Sequence, residues 1–166
     1  MKPLFLQILS ILGSRPSMEI RPITLDDART VHALHEEGFP EAKWSYEGVF
    51  DLLALGTTFG WGAFSKGTCV GFIVAQVVRE EAEILTFLVQ EKIRGTGLGQ
   101  RLYDTIETFL KNRQVLEIFL EVAKDNSVAC KFYSKNGFLK ISYRKGYYSK
   151  SGISAGDAIS MKKKTS

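Results

Sequence analysis

The feature that most constrains this chain is the run Arg94-Gly95-Thr96-Gly97-Leu98-Gly99. It stands between an almost wholly apolar segment, Ala82–Val89, and a stretch with Leu102, Ile106, Phe109 and Leu110 at helical spacing. Glycines on alternate residues free the backbone to turn its N–H groups toward one point, and the start of the following helix favours negative charge there. A strand, such a loop and a helix N-terminus together make a cradle for a diphosphate. No Gly-Lys-Ser/Thr follows, so this is not a nucleotide P-loop, and the spacing G-x-G-x-G departs from the dinucleotide fingerprint G-x-G-x-x-G. The plain alternative is a glycine-rich turn that only joins strand to helix.

Around this run the chain reads as one α/β domain. Glu19–Ile23 reads as a short strand, and Thr24 with Asp27 gives a helix start like a capping box, followed by Ala28, Val31, Leu34 and His35. Gly38 closes that helix; Phe39–Trp44 is a loop, and Ser45 caps a second helix lined by Val49, Leu52 and Leu53 and ending at Gly56. Thr58–Ser65 and Thr68–Arg79 form a hairpin about Lys66-Gly67, and Ala82–Val89, apolar nearly throughout, is a central strand. A helix from Leu98 to Arg113 and a strand over Val115–Val122 follow. Asn126 or Ser127 then caps a short helix ended by Gly137, and Phe138–Tyr148 and Ala158–Lys162 form a final strand pair. The order β-α-α-β-β-β-α-β-α-β-β is that of an α/β sandwich about a mixed sheet.

Length and composition agree with a single globular domain: 166 residues, 45% hydrophobic and 24% charged, which excludes disordered and collagen-like chains. No apolar run reaches the ~18 residues of a membrane span. Cys69 and Cys130 lack the pattern of a disulfide framework, which fits a reducing, cytoplasmic setting. Residues 1–17 carry Lys2 and a short apolar run interrupted by Gln7 and Ser10, without an A-x-A cleavage site. They read as an extension outside the core, with Met18 opening the domain. Net charge is +4, but residues 18–91 hold 12 acidic and 5 basic side chains while residues 92–166 hold 6 and 15. That asymmetry suggests a basic region for an anionic ligand and an acidic one for a cationic partner, with 163–166 a solvated basic tail. Nucleic-acid binding is not expected, because the basic half is also where the chain reads as sheet and helix.

The sequence resembles the GCN5-related N-acetyltransferases (GNAT), whose R/Q-x-x-G-x-G/A signature is matched by Arg94, Gly97 and Gly99. Within that superfamily it is similar to the RimI branch of protein N-terminal acetyltransferases, which acetylate the N-terminal alanine of a ribosomal protein. The similarity lies in Leu120-Glu121-Val122, Asp125-Asn126, Phe132-Tyr133, Gly137-Phe138, Phe39-Pro40 with Trp44-Ser45, Arg144 with Tyr147-Tyr148, and Asp157-Ala158-Ile159 with Met161. It covers about residues 18–162.

The resemblance implies a single-domain α-β-α sandwich, its mainly antiparallel sheet splayed at the cofactor site, and acetyl-CoA as donor. It assigns Arg94, Gly95, Thr96, Gly97, Leu98, Gly99 and Gln100 to the pyrophosphate loop, the strand residues Phe87, Leu88 and Val89 to the pantetheine arm, and Asn126 to a further cofactor contact. Glu121 falls where such enzymes keep a general base. Set in Ile118-Phe119-Leu120-Glu121-Val122, its carboxylate should be desolvated, which suits that role. An α-amine, with a pKa near ~8, needs less help to lose its proton than a lysine at ~10.4. Tyr133 falls where the family places the acid that protonates the departing thiolate. Phe39, Trp44, Glu83, Arg144, Tyr147 and Tyr148 are candidates for the acceptor groove, Glu83 also as a second base.

The implied partner is a protein N-terminus such as that of a ribosomal protein. A lysine or a small-molecule amine is the nearer alternative, and a non-catalytic acyl-CoA-binding module the more distant one. The chain departs from RimI at Pro40-Glu41-Ala42-Lys43-Trp44 and at Gly146, both in the acceptor region. His32 and His35 suggest no metal site without a third ligand near in sequence and read as a surface face. Cys130 reads as a small packed residue.

Overall fold

The computed structural model describes residues 18–41, 43–144 and 157–165. The N-terminal extension, Ala42, Gly146, Tyr147 and Tyr148 lie outside the described residues. The strands are β1 (Glu19–Pro22), β2 (Thr58–Ser65), β3 (Thr68–Val78), β4 (Glu81–Val89), β5 (Glu117–Ala123), β6 (Leu139–Arg144) and β7 (Ala158–Lys164). The helices are α1 (Ala28–Gly38), α2 (Tyr46–Ala54), α3 (Leu98–Asn112) and α4 (Ser127–Lys135), with short 3-10 turns at Leu25–Asp27 and Glu91–Ile93. The order of elements is the expected one. All seven strands lie in one sheet ordered β1-β2-β3-β4-β5-β7-β6, antiparallel except where β4 and β5 run parallel.

Two apolar layers sandwich this sheet. On one face α3 buries Leu98, Leu102, Tyr103, Ile106 and Leu110, one stripe at helical spacing, against Ile73, Ile84, Ile118 and Leu120. On the other, Ala28, Val31 and Leu34 of α1 and Val49 of α2 close over Phe72, Val74 and Leu88. Gly38 ends α1 hard against β4, where a Cβ would collide with the Leu88 side chain. Ser45 caps α2 as expected, its Oγ accepting from the Gly48 N–H at 3.0 Å.

Two irregularities shape the centre. β4 and β5 pair from Glu81 opposite Glu117 only as far as Ile84 opposite Leu120; beyond that Leu85–Val89 has no β5 partner while Glu121–Ala123 stays paired to β7. The sheet therefore opens between its two parallel strands. The second is a bulge at Leu85: Val74 pairs with Thr86 but Ala75 with Ile84. One extra residue inverts the in-out alternation. Ala82 and Ile84 face the α3 layer before it, whereas Phe87 and Val89 do so after it, turning Leu88 toward α1.

The C-terminal lysines are not a solvated tail. β7 continues through Lys164, and Lys163 is ion-paired with Glu107 while its Nζ donates to the Tyr103 hydroxyl at 3.2 Å. Alternation along β7 points Lys163 into the α3 layer, where a buried phenol and a carboxylate receive its ammonium. Lys162 points the other way and pairs with Glu117 at 2.9 Å. Lys162 and Lys163 thus answer acidic residues of the same chain.

Candidate active site

The glycine run begins directly beyond the open end of β4. Gly95 and Gly97 have φ of +75° and +86°, backbone that side chains disfavour, and Gly97 stands at the N-cap of α3. A Cβ built on either would meet nothing within 4 Å, so glycine is required there by conformation and the space above is open. The first N–H taken up inside the helix is that of Arg101, by the Gly97 carbonyl at 3.1 Å. Among the described residues, the N–H groups from Gly95 to Gln100 have no hydrogen-bond partner. Open space ringed by unused donors at a helix N-terminus fits a diphosphate, and the gap beside Leu85–Val89 fits an extended arm.

Several side chains of this region serve the loop itself. The Arg94 Nε donates to the Val89 carbonyl at 3.0 Å, tying the loop to the end of β4. Thr96 Oγ1 donates to the Ile93 carbonyl at 2.8 Å. Leu98 is 2% exposed and belongs to the core, leaving only its backbone to a ligand. Gln100 reaches across to α4: its Nε2 lies 2.7 Å from Asn136 Oδ1 and 2.8 Å from Asp104 Oδ1. Asn126 caps α4, its Oδ1 accepting from the Ala129 N–H at 3.1 Å. Sequence reasoning assigned all of these to the cofactor; the donors on offer are mostly backbone.

Tyr133 sits on α4 in the α3 layer, with Phe132 and Phe138 at ring-centroid distances of 5.6 Å and 5.5 Å. It is 8% exposed, burial pushes its phenol up, and among the described residues its hydroxyl makes no hydrogen bond. A buried phenol so placed stays protonated and can donate. Phe87 packs edge-on against Phe132 at 5.5 Å, so the open strand and the tyrosine's helix share one aromatic contact.

On the opposite face a cleft of about 570 Å³ is lined by Trp44, Ser45, Gly48 and Leu52 together with Glu83, Ile84, Leu85 and Glu121. It lies at the point where β4 and β5 stop pairing. Glu121 does not have the apolar setting that its sequence neighbours suggest: its side chain is 20% exposed, the Arg144 Nη1 stands 3.2 Å from its Oε1, and Ser160 Oγ donates to the same oxygen at 3.3 Å. The apolar neighbours Leu120 and Val122 point to the other face, as strand alternation requires. A smaller cleft of about 260 Å³ shares Glu83 and continues past Glu81, Gln76 and Phe119.

Trp44, Glu83, Glu121 and Arg144 are thus brought together, and Phe39 is not. Phe39 packs on the α1 layer beside His35, at 4.9 Å between ring centroids. His35 is not on a surface face: it is 3% exposed and stacks beneath Trp44 at 4.5 Å. Burial lowers its pKa to about 4, so it is neutral and part of the floor that holds the tryptophan. Its helical spacing with Val31 and Leu34 was the signal available in the sequence. Among the described residues no group of side chains could hold a metal ion, and no helix is long and apolar enough to cross a membrane.

A sheet opened beside a loop of unused backbone donors, with a cleft across the opening, is the framework that a transferase using a phosphate-bearing carrier requires. Residues 26–138 match the acetyltransferase (GNAT) family, and the chain belongs to it. It is an acetyl-CoA-dependent N-acetyltransferase. Among curated proteins it is 27% identical to the spermidine N(1)-acetyltransferase of Thermoplasma acidophilum, over 74% of this chain and 88% of that one. It is 32% identical to the ribosomal protein bS18-alanine N-acetyltransferase of Escherichia coli K12, over 50% of this chain, a match spanning 56% of the relative's length. The structure of the Escherichia coli ribosomal-protein-S18-alanine N-acetyltransferase superimposes with a TM-score of 0.78 at 24% identity, covering 90% of this chain and 95% of that one. Ard1 from Thermoplasma volcanium gives 0.77 at 29% identity, covering 89% and 97%. A PaiA N-acetyltransferase from Thermoplasma acidophilum, solved with coenzyme A, gives 0.74 at 24% identity, covering 89% of this chain and 99% of that one.

Proposed function

We propose that this chain acetylates the α-amine at a protein N-terminus, in a ternary complex and without an acyl-enzyme. The observation that carries the reading is the cleft at the opening of the sheet, where Glu83 of β4, Glu121 of β5 and Trp44 of the loop before α2 meet. Acetyl-CoA supplies the acetyl group as a thioester whose carbonyl an amine can attack. Backbone N–H groups from Gly95 to Gln100 hold the anionic end, and the freed edge of Phe87–Val89 orients the arm. Glu121 takes the proton that the amine loses, directly or through water, with Arg144 and Ser160 fixing the carboxylate. Tyr133, beside the Phe132 ring that packs on Phe87 of the open strand, gives its proton to the departing sulfur. The two carboxylates attract a cationic amine, and the smaller cleft beyond Glu83 leaves room for chain that follows the first residue.

A polyamine is the second reading. It is supported by the broad match to the spermidine N(1)-acetyltransferase and by Glu83 and Glu121 beside apolar Trp44 and Leu52, which suits an ammonium on a hydrocarbon stem. One experiment separates the two: thiol release from acetyl-CoA with peptides varied in their first residues, the same peptides blocked at the α-amine, and spermidine. Transfer that disappears on blocking supports the N-terminal reading. Transfer unaffected by blocking assigns lysine, and transfer to spermidine alone assigns the polyamine.

A further inference from the structure

The helix that walls the larger cleft carries a glycine in its first turn. Gly48 of α2 stands three residues after the cap Ser45, whose Oγ accepts from the Gly48 N–H at 3.0 Å. Glycine weakens a helix relative to alanine, because it gives up more backbone freedom on folding. At this place it also forgoes a capping box, in which a carboxylate or amide reaches back to the N–H of the cap residue. The same chain makes that contact elsewhere: the Asp27 carboxylate takes the Thr24 N–H at 2.9 Å.

Neither backbone nor packing asks for glycine here. Gly48 is helical and is not among the glycines with positive φ. Beyond its own helix backbone and chain neighbours, a Cβ built on it would meet only the Ser45 Oγ, at 3.3 Å, whereas at Gly38 it would collide with Leu88. What lies over Gly48 is the cleft of about 570 Å³, which this exposed residue lines. Ser45 and Leu52, three residues before it and four after, line the same cleft, so a side chain at 48 would rise from the same helix face into that space. Beside it stand Leu85 of β4 and the Trp44 ring, stacked on buried His35 at 4.5 Å. The charged residues of the cleft, Glu83 and Glu121, come from the strands.

We infer that Gly48 is a specificity-determining position, and that the space it leaves takes the side chain of the acceptor's first residue, a large apolar one. The inference rests on the proposed function, since it concerns the residue that bears the α-amine. With the amine drawn to Glu83 and Glu121, the side chain on the adjoining carbon meets the apolar surface of Trp44, Leu52 and Leu85, and the missing Cβ at 48 leaves that surface open to it. An alanine acceptor would leave most of this surface in water. Leucine or methionine would cover it, and burial of apolar area favours them. A side chain at 48 would compete for the same volume, so the size of residue 48 sets the size of the residue admitted.

The test measures kcat/KM on two peptides that differ only in the first residue, leucine or alanine, for the wild type, Gly48→Ala and Gly48→Leu. Thermal midpoint and acetyl-CoA affinity by titration calorimetry are read alongside. The wild type should favour leucine. Gly48→Ala should lower the leucine-to-alanine ratio by about tenfold and Gly48→Leu by about 100-fold, the range that single methylenes command in an apolar pocket. Acetyl-CoA affinity should hold, and Gly48→Ala should keep or raise the thermal midpoint, alanine being the better helix former. A wild type that prefers alanine, or a ratio unchanged in both variants, would overturn the inference while transfer to the α-amine stands. A loss of acetyl-CoA affinity in step with the ratio would overturn it by assigning the space to the donor, and a lowered midpoint in Gly48→Ala by showing that the fold itself needs the glycine. Blocking the α-amine reads the proposed function separately: if transfer survives the block, or spermidine alone is acetylated, the N-terminal reading fails and the inference falls with it.

Discussion

In the function proposed above, the donor side of the site is backbone drawn from one short stretch, whereas the acceptor side is side chains drawn from places far apart. Gly95 to Gln100 supply adjacent N–H groups through turn geometry alone. Trp44, Glu83, Glu121 and Arg144 come from the loop before α2 and from β4, β5 and β6, and meet only because the sheet is assembled. A backbone site demands conformation, which few residues satisfy; a side-chain site can be refitted by exchanging residues one at a time. The first is suited to an invariant donor and the second to a changing acceptor.

The comparison is broken most severely at Gly97. A Gly97→Val variant must hold φ near +86°, at a strain of about 1–3 kcal/mol, and turns a branched side chain into the open space of the cradle. Its kcat/KM for acetyl-CoA should fall by roughly 100-fold or more, with binding lost in calorimetry. Next comes Tyr133→Phe, which removes only the proton donor: kcat should drop on the order of 100-fold while the acetyl-CoA dissociation constant holds. A matching loss in binding would place Tyr133 in the cradle instead. Glu121→Gln should cost less, about tenfold in kcat, because an α-amine at ~8 is already partly neutral near pH 7. On a peptide whose only amine is a lysine, the same change should cost more.

The smallest effect on turnover is expected at the base of the acceptor side. Asp27, before α1, takes both guanidinium nitrogens of Arg21 at 2.8 Å and the Thr24 N–H at 2.9 Å. The Arg21 hydrogen bond, ahead of a smaller opposing effect of burial, holds the Asp27 carboxyl at about 2. A carboxyl lowered on folding contributes stability above its unfolded value near 4 and loses it as pH falls toward 2. Thermal midpoints of the wild type should therefore decline over that window. Asp27→Asn should remove that part of the decline and lower stability at pH 7 by at most about 2 kcal/mol, with kcat unaltered.

The glycine loop between β4 and α3 was legible because glycine, strand and helix leave local marks. The element order and the capping of α2 by Ser45 were readable for the same reason. What escaped were features created by pairing. The bulge at Leu85 leaves no composition signal, yet it turns Leu88 toward α1. The apolar neighbours of Glu121 suggested a dry carboxylate, while the ladder puts Arg144 and Ser160 beside it from β6 and β7. Several charges of both halves pair within their own half, Asp27 with Arg21, Glu36 with Lys43 and Lys163 with Glu107, which leaves the asymmetry between the halves unchanged. Among the charged side chains of the described residues, Glu83 and Glu121, one from each half, line the larger cleft.

The gap between β4 and β5 has a consequence for the chain in a crowded cell. A sheet interrupted in its middle has two extra strand edges, and bare edges are templates for pairing with other chains. Here the outer strands carry charge, such as Lys140 and Arg144 on β6, whereas the inner edge along Leu85–Val89 is apolar. The arm of acetyl-CoA, lying along that edge, would act as a removable strand that protects it. At 100 times its dissociation constant the donor would add about 2.7 kcal/mol to stability by mass action. Starvation for acetyl-CoA would then deplete the enzyme as well as its substrate, lowering acetylation twice over.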